Sequence, residues 1–267
     1  MKEHKSISSA QNPLIKRILL LKEKSRERKK QGIFIAEGLR EIKLAQKGGY
    51  TIEILLFCPE IFKGNLDSFT SKDQGPEHIS LSRNIYEKVA HRGTTEGVLA
   101  LIQTKEHALE KLRFKNKDPL ILVAEAPEKP GNIGALLRTA DAAALDAVII
   151  ANPKTDLYNP NIIRSSVGCV FTNQIGMGST QEVIAYLQEQ HINMYAAALT
   201  ASKNYSLCNF KGPSAIVVGT EATGLSEDWL QNSDQNIIIP MQGEIDSMNV
   251  SVSAAILIFE AKRQRGF

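Results

Sequence analysis

Hydrophobic and polar positions along this chain fall in blocks whose period switches repeatedly between helical and extended spacing. In "NPLIKRILLLKEKSRERKK" (residues 12–30) Leu14, Ile18 and Leu21 recur at helical spacing and Pro13 can sit in the first turn, which predicts one helix. "GIFIAEG" predicts a strand, "LREIKLAQKGG" a helix stopped by Gly48 and Gly49, and "YTIEILLFC" another strand. The polar, breaker-rich "GNLDSFTSKDQGPE" reads as a loop, and "HISLSRNIYEKVA" with "EGVLALIQ" adds strand, helix and strand. The charged "TKEHALEKLRFKNKDP" then reads as a connector.

Beyond it the alternation restarts. "LILVAEA" is apolar enough for a strand buried on both faces, "IGALLRTADAAAL" is a helix and "DAVIIAN" a second strand. "NIIRSSVGC" suggests a short helix, "TNQIGM" a strand, "TQEVIAYLQEQ" a clear helix, and "NMYAAAL" and "SAIVVG" two more strands. "SEDWLQN" opens a helix on a Ser cap with acids in the first turn, and "NIIIP" and a closing helix complete the chain. The expectation is an α/β protein with a mostly parallel sheet covered on both faces. It divides into a small α/β domain over residues 1–103, a linker over 104–117 and a second domain over 118–267.

A chain of 267 residues exceeds the usual single-domain length, which suits this division. No apolar run reaches the about 20 residues of a membrane span, and the start has no signal-like apolar core. Cys58, Cys169 and Cys208 are far apart and the five histidines are scattered, so neither a disulfide framework nor a metal site is expected, and the cytoplasm is the expected compartment. Net charge is only +3, but Lys16–Lys30 carries eight basic residues against two acidic ones. Such a run is either a solvated helix face or a phosphate-contacting one. Aromatic content of 6% is too low for base stacking to be the main binding mode.

Ligands of parallel α/β sheets bind at the carboxyl ends of strands. Three such ends are unusually polar or glycine-rich. In "EKPGNIGALLRTADA", Gly131 and Gly134 bracket Asn132 where a helix should begin, with Arg138 on its second turn; an N-cap for Asn132 and a surface ion pair from Arg138 to Asp141 are the plain alternatives. A GxGxxG pattern is missing, which weakens a dinucleotide-binding reading. In "VVGTEATGLSEDW", Gly219 and Gly224 flank Glu221, which is a ligand group or an ordinary solvated turn residue. In "IIIPMQGEIDSMNVSVSAAILIFEA", Pro240 ends a strand, Met241 and Met248 offer adaptable apolar surface, and Ser247 and Asn249 precede a helix whose Val250, Ala254, Leu257 and Ile258 require burial.

In their order and chemistry these three stretches resemble the motifs of the SpoU (TrmH-like) branch of the SPOUT RNA methyltransferases, and "ISSAQNPLIKRI", "GIFIAEGLREI" and "HRGTTEGVLA" resemble the ribosomal-protein-like substrate-binding domain that often precedes it. Together they cover nearly the whole chain. One departure is "AEAPEKPGN", where the family more often has an aspartate and proline shortly before the asparagine.

The resemblance implies a deep trefoil knot in the C-terminal parallel sheet, S-adenosylmethionine bound in it, homodimers with sites near the interface, and methyl transfer to a ribose 2′-hydroxyl. Carried onto this sequence, it makes Arg138, Asn132, Glu221, Ser247 and Asn249 the catalytic set. Leu199, Thr200, Gly219, Glu221, Gly224, Ile239, Met241, Ser247, Met248 and Val250 become the cofactor-binding set. Lys16, Arg17, Arg26, Arg28, Lys29, Arg40 and Arg92 are the expected RNA contacts, with ribosomal RNA favoured over transfer RNA and no metal or membrane partner. A guanidinium is too basic to act as a literal base, so the expected role of Arg138 is to orient the hydroxyl or a phosphate and to stabilise developing charge. The competing readings are a transfer-RNA methyltransferase of the same family, a non-catalytic RNA-binding protein and a dinucleotide-dependent enzyme.

Overall fold

The computed structural model describes residues 5–69, 75–90, 96–199, 203–220 and 222–267, so Arg92, Thr200 and Glu221 lie outside the described residues. The chain forms two compact units, Met1–Lys105 with Asp156–Thr172, and Glu106–Thr155 with Asn173–Phe267.

In the first unit the elements are β1 (Lys5–Ile7), α1 (Pro13–Glu23), α2 (Ser25–Gln31), β2 (Ile33–Glu37), α3 (Leu39–Lys47), β3 (Ile52–Phe57), β4 (Glu77–Leu81), α4 (Arg83–Val89) and β5 (Val98–Gln103). The sheet order is β1-β4-β3-β5-β2, with β4 parallel to both its neighbours and β5 antiparallel to both of its own. The single helix expected over 12–30 is broken at Lys24, whose backbone is extended (φ −108°, ψ 108°). The reason is Arg28. Its guanidinium folds back to donate to the Leu21 carbonyl (2.6 Å) and the Lys22 carbonyl (3.2 Å), which terminates α1, and the buried stripe Ile15, Ile18, Leu21 ends there.

The second unit contains β6 (Leu120–Glu125), α5 (Pro130–Ala142) and β7 (Ala147–Ala151). Helix α6 (Pro160–Ser165) follows within Asp156–Thr172 and so belongs to the first unit. The second unit resumes with β8 (Ile175–Gly178), α7 (Thr180–Glu189), β9 (Asn193–Ala197), β10 (Lys203–Asn204), β11 (Ser214–Val218), α8 (Glu227–Asn232), β12 (Gln235–Ile238) and α9 (Val250–Arg265). All seven strands run parallel, in the order β10-β12-β9-β11-β6-β7-β8. Strands β6, β7 and β11 are buried at every position, as their unbroken apolar runs require. Where a connector was expected, Leu109 and Leu112 are buried in the core with Ile121, Val123 and Ile149. They fit because Gly176 of β8 lacks a Cβ, which would stand 3.0 Å from each.

Within the first unit, Asp156–Thr172 is held by aromatic stacking and one buried ion pair. Phe34 stacks on Tyr158 (ring centroids 4.4 Å apart) and on Phe171 (5.5 Å), and the Tyr50 and Tyr158 hydroxyls are 3.3 Å apart. The Arg28 Nε donates to Asp156 Oδ2 at 2.5 Å, with the two side chains 3% and 9% exposed. Arg28 is therefore withdrawn from the RNA-contacting set: its donors are committed inside the fold, and leaving would strand a buried carboxylate.

Candidate active site

The carboxyl ends of β6 and β11 border a cleft of about 380 Å³ in the second unit, a size within the range of small-molecule sites. Asn132 and Leu136, one turn apart on α5, face it, with Gly219, Thr220 and Val250 on other sides.

Helix α5 begins at Pro130, and Lys129 rather than Asn132 is its N-cap. The amides of Asn132 and Ile133 are taken up by the Lys129 carbonyl, so the array of free N–H groups expected at this terminus is not formed. The Asn132 side chain is thereby free for another role: its Oδ1 accepts from Asn249 Nδ2 at 3.2 Å. Asn249 does cap a helix. Its Oδ1 accepts from Ser251 N (2.9 Å) and Ser251 Oγ (2.6 Å) at the start of α9. One side chain thus ties the two helix starts on either side of the cleft. Ser247 is not part of this frame and does not cap α9; its hydroxyl donates to Asp246 Oδ1 at 3.0 Å.

The third wall is a tight loop. Thr220 and Gly224 exchange backbone hydrogen bonds (3.0 and 3.1 Å), and the Thr220 and Thr223 hydroxyls meet at 2.8 Å. Gly224 is at φ +69°, a conformation that favours glycine. At Gly219 a Cβ would fall 2.2 Å from the Gly224 carbonyl carbon, so only glycine lets the loop fold back on its strand.

Beneath the loop lies a group that the sequence reading missed. Glu125 closes β6, is 5% exposed, and accepts from Ser226 N (2.8 Å), Ser226 Oγ (2.7 Å) and Thr180 Oγ1 (3.0 Å). Thr180 in turn accepts from Asn152 Nδ2 at 2.7 Å. The signal available was a carboxylate at the end of the apolar run "LILVAE", since a carboxylate is not buried without donors.

Of the described residues expected to contact cofactor, Gly219 and Val250 line the cleft and Gly224 closes its loop. Leu199, Ile239, Met241, Ser247 and Met248 are exposed or half-buried outside its lining. Ala124, Pro127, Glu128, Lys129, Ala222 and Thr223 complete the wall without having been foreseen. Arg138 does not line it. It is exposed, and six residues beyond Asn132 places it about 120° round α5 from the cleft-facing side. In the first unit Lys16, Arg26, Lys29 and Arg40 are exposed. Arg17 is half-buried against Gln31 (2.7 Å), and Arg40 lies 3.3 Å from the buried Glu41 carboxylate.

An all-parallel sheet with helices on its faces and a ligand-sized cleft at its carboxyl edge, framed by polar helix starts and a glycine loop, defines an α/β protein built to bind a small molecule at that edge. Residues 119–259 match the SpoU rRNA Methylase family and residues 12–100 the MRM3-like substrate binding domain, and the chain belongs to the SpoU rRNA methylase family. Among its relatives is the 23S rRNA (guanosine(2553)-2′-O)-methyltransferase RlmP of Bacillus subtilis (strain 168), 30% identical over 97% of this chain and 99% of that protein. A crystal structure of an RNA 2′-O ribose methyltransferase is 38% identical, with a TM-score of 0.83, covering 98% of this chain and all of the other. The AdoMet-bound rRNA methyltransferase of Sinorhizobium meliloti, 24% identical with a TM-score of 0.89 and 97% of each chain covered, has the same fold.

Among the described residues no group of three or more His, Cys, Asp or Glu could hold a metal ion, and no helix is long and apolar enough to cross a membrane.

Proposed function

We propose that this protein transfers a methyl group from S-adenosylmethionine to a ribose 2′-hydroxyl of 23S-type ribosomal RNA. The observation that carries the reading is the Asn249–Asn132 hydrogen bond across a cleft walled by the Gly219–Gly224 loop, in a chain of the SpoU family. The preference for ribosomal over transfer RNA rests on the names of its relatives.

The residues present fit the cofactor. The cleft has the volume for it, Gly219 and Thr220 bring backbone close to its interior, and Leu136 and Val250 supply apolar surface. Bound there, S-adenosylmethionine supplies an electrophilic methyl group on a positively charged sulfur. The asparagine pair fixes the separation of the two helix starts, and Glu221 and Ser247 are the remaining polar groups proposed to act on the reacting ribose. Leu199, Thr200, Ile239, Met241 and Met248 make up the rest of the proposed cofactor-binding set.

Arg138 orients the 2′-hydroxyl or its neighbouring phosphate and stabilises charge developing on the oxygen. Because it points away from the cleft of its own chain, its position supports a homodimer in which Arg138 of a second copy serves the cleft. The exposed Val252, Phe259 and Phe267 on and after α9 support the same arrangement. The position of β12, paired between the earlier strands β9 and β10, supports the trefoil-knot threading of the C-terminal segment. Lys16, Arg17, Arg26, Lys29, Arg40 and Arg92 hold the RNA backbone, and three free cysteines suit action in the cytoplasm.

The test is transfer of labelled methyl to total RNA lacking this modification, followed by size separation and mapping. Label at a 2′-O position of the large ribosomal RNA is the expected result. Label in transfer RNA moves the substrate, and cofactor binding without label in any RNA overturns the reading. Arg138→Ala is expected to lower kcat by about 10²–10³-fold while leaving cofactor affinity intact; full activity removes Arg138 from the mechanism.

A further inference from the structure

The amino ends of the strands whose carboxyl ends hold the cofactor cleft border a second cleft, of about 530 Å³, which includes Lys117, Lys211, Lys262, Arg265, Asp118 and Asp146. Four separate segments converge there: the approaches to β6, β7 and β11 and the last turn of α9. Cations in the last turn of a helix are ordinary, because they complement its dipole, and that accounts for Lys262 and Arg265. It does not account for Lys117 and Lys211.

The electrostatics of the cleft are set by what its charged groups are bound to. Arg265 is half-buried and its donors go to neutral acceptors: Nε to the Phe210 carbonyl (2.7 Å), Nη1 to the Asp118 carbonyl (2.6 Å) and Nη2 to the Gly212 carbonyl (2.6 Å). It makes no ion pair among the described residues, so its charge is fixed in place by neutral groups, with the Asp146 and Asp118 carboxylates acting on it from farther off. Asp146 is engaged as a brace, accepting from Asn116 Nδ2 (2.7 Å) and from Leu120 N (2.8 Å). Four cations against two carboxylates leave the cleft positive. Lys117 and Lys211 are exposed and Lys262 half-buried, so all three can reach a ligand.

We propose that this cleft binds the phosphate backbone of the RNA substrate, as a second contact at the edge of the sheet opposite the methyl-transfer cleft. The inference rests on the RNA methyltransferase reading. Clustered lysines and a fixed guanidinium suit successive phosphates of one strand, through counterion release that is independent of sequence. Substrate specificity then resides elsewhere, and this cleft contributes grip and register.

The experiment uses the full-length enzyme and the triple variant Lys117→Glu, Lys211→Glu, Lys262→Glu. Binding to a 23S rRNA fragment is followed by fluorescence anisotropy across a salt series, beside steady-state methylation. Losing three contacts at about 0.7 each on a single strand lowers the slope of log K against log salt by about 2. The KM for RNA is expected to rise about tenfold or more at moderate salt, with kcat and S-adenosylmethionine affinity unchanged. An unchanged slope and KM overturn the proposal. So does an equal fall in slope for the charge-matched variant Lys43→Glu, Lys63→Glu, Lys88→Glu, which would make the effect one of net charge. Failure of the wild type to methylate any RNA defeats the functional reading separately, while the salt slope still tests the cleft.

Discussion

Removing the Glu125 carboxylate is expected to loosen the cofactor cleft from below. Glu125 sits one residue beyond Ala124, which lines the cleft, and its acceptors hold Ser226, two residues past the Gly219–Gly224 loop. In Glu125→Ala three hydrogen bonds to a charged acceptor vanish, each typically worth about 1.5–3 kcal/mol. The Ser226 and Thr180 hydroxyls can turn to water admitted into the vacated space, whereas the Ser226 amide cannot turn. The net loss is therefore about 3 kcal/mol rather than the full sum, which lowers Tm by about 6–12 °C for a unit of this size. Glu125→Gln keeps the shape. Its oxygen can face the Ser226 amide, but its NH2 then meets Thr180, which already accepts from Asn152, and the Thr180 hydroxyl proton loses its partner. That costs about 1 kcal/mol. Thermal unfolding and calorimetric titration with S-adenosylmethionine are the assays. For the alanine variant the cofactor Kd should weaken about tenfold, equivalent to about 1.4 kcal/mol, with the glutamine variant in between. Wild-type Tm and Kd in Glu125→Ala would refute the account. A glutamine variant as damaged as the alanine one would show that charge, not hydrogen-bond geometry, is what matters.

Three further outcomes follow from the structure. Gly219→Ala forces a Cβ to within 2.2 Å of loop backbone and should abolish cofactor binding in calorimetry, whereas Gly131→Ala, with nothing within 4 Å of the added carbon, should be neutral or stabilise α5 by up to about 0.5–1 kcal/mol in urea unfolding. Arg28→Met leaves Asp156 uncompensated at 9% exposure and should cost about 3–5 kcal/mol in the same assay, with Arg28→Met combined with Asp156→Leu milder; equal losses would argue against a paired charge. Burial, then the Tyr158 neighbour, pushes the Tyr50 hydroxyl well above its ordinary value of 10.0. The unfolded chain therefore loses this proton first, and stability should fall as pH rises above about 10, by up to about 1.4 kcal/mol per pH unit for this group. Tyr50→Phe should flatten the fall in urea midpoint between pH 9.5 and 11, and an unchanged slope would discount Tyr50.

Long apolar runs were the most legible part of the sequence. "LILVAEA" and "DAVIIAN" became the fully buried β6 and β7, because such runs have no face that tolerates water. Strands β1 and β10, of three and two residues, are too short to carry a period and were not foreseen. The break at Lys24 was invisible because it is set by where Arg28 finds acceptors, not by a helix breaker. Charge counting failed on that same residue: a basic run predicts exposure on average but cannot say which member pairs with a distant aspartate. At the candidate site, Asn132 and Gly219 were read from their positions at a helix start and a strand end, and Val250 through the family resemblance. Glu125, Thr180 and Ser226 were not, since their meeting depends on register across β11, β6, β7 and β8.

That the first unit draws on Asp156–Thr172 also bears on how the protein is made. As the chain leaves the ribosome, residues 1–105 emerge with Arg28 lacking its carboxylate and Phe34 lacking Tyr158 and Phe171. At about 5–20 residues per second, the intervening fifty residues and the segment itself take several seconds more to appear. Throughout that interval the nascent substrate-binding unit carries an open aromatic surface and an unmatched guanidinium. Its completion waits on a piece of chain that lies inside the methylase sequence, so neither half of the gene encodes a finished module.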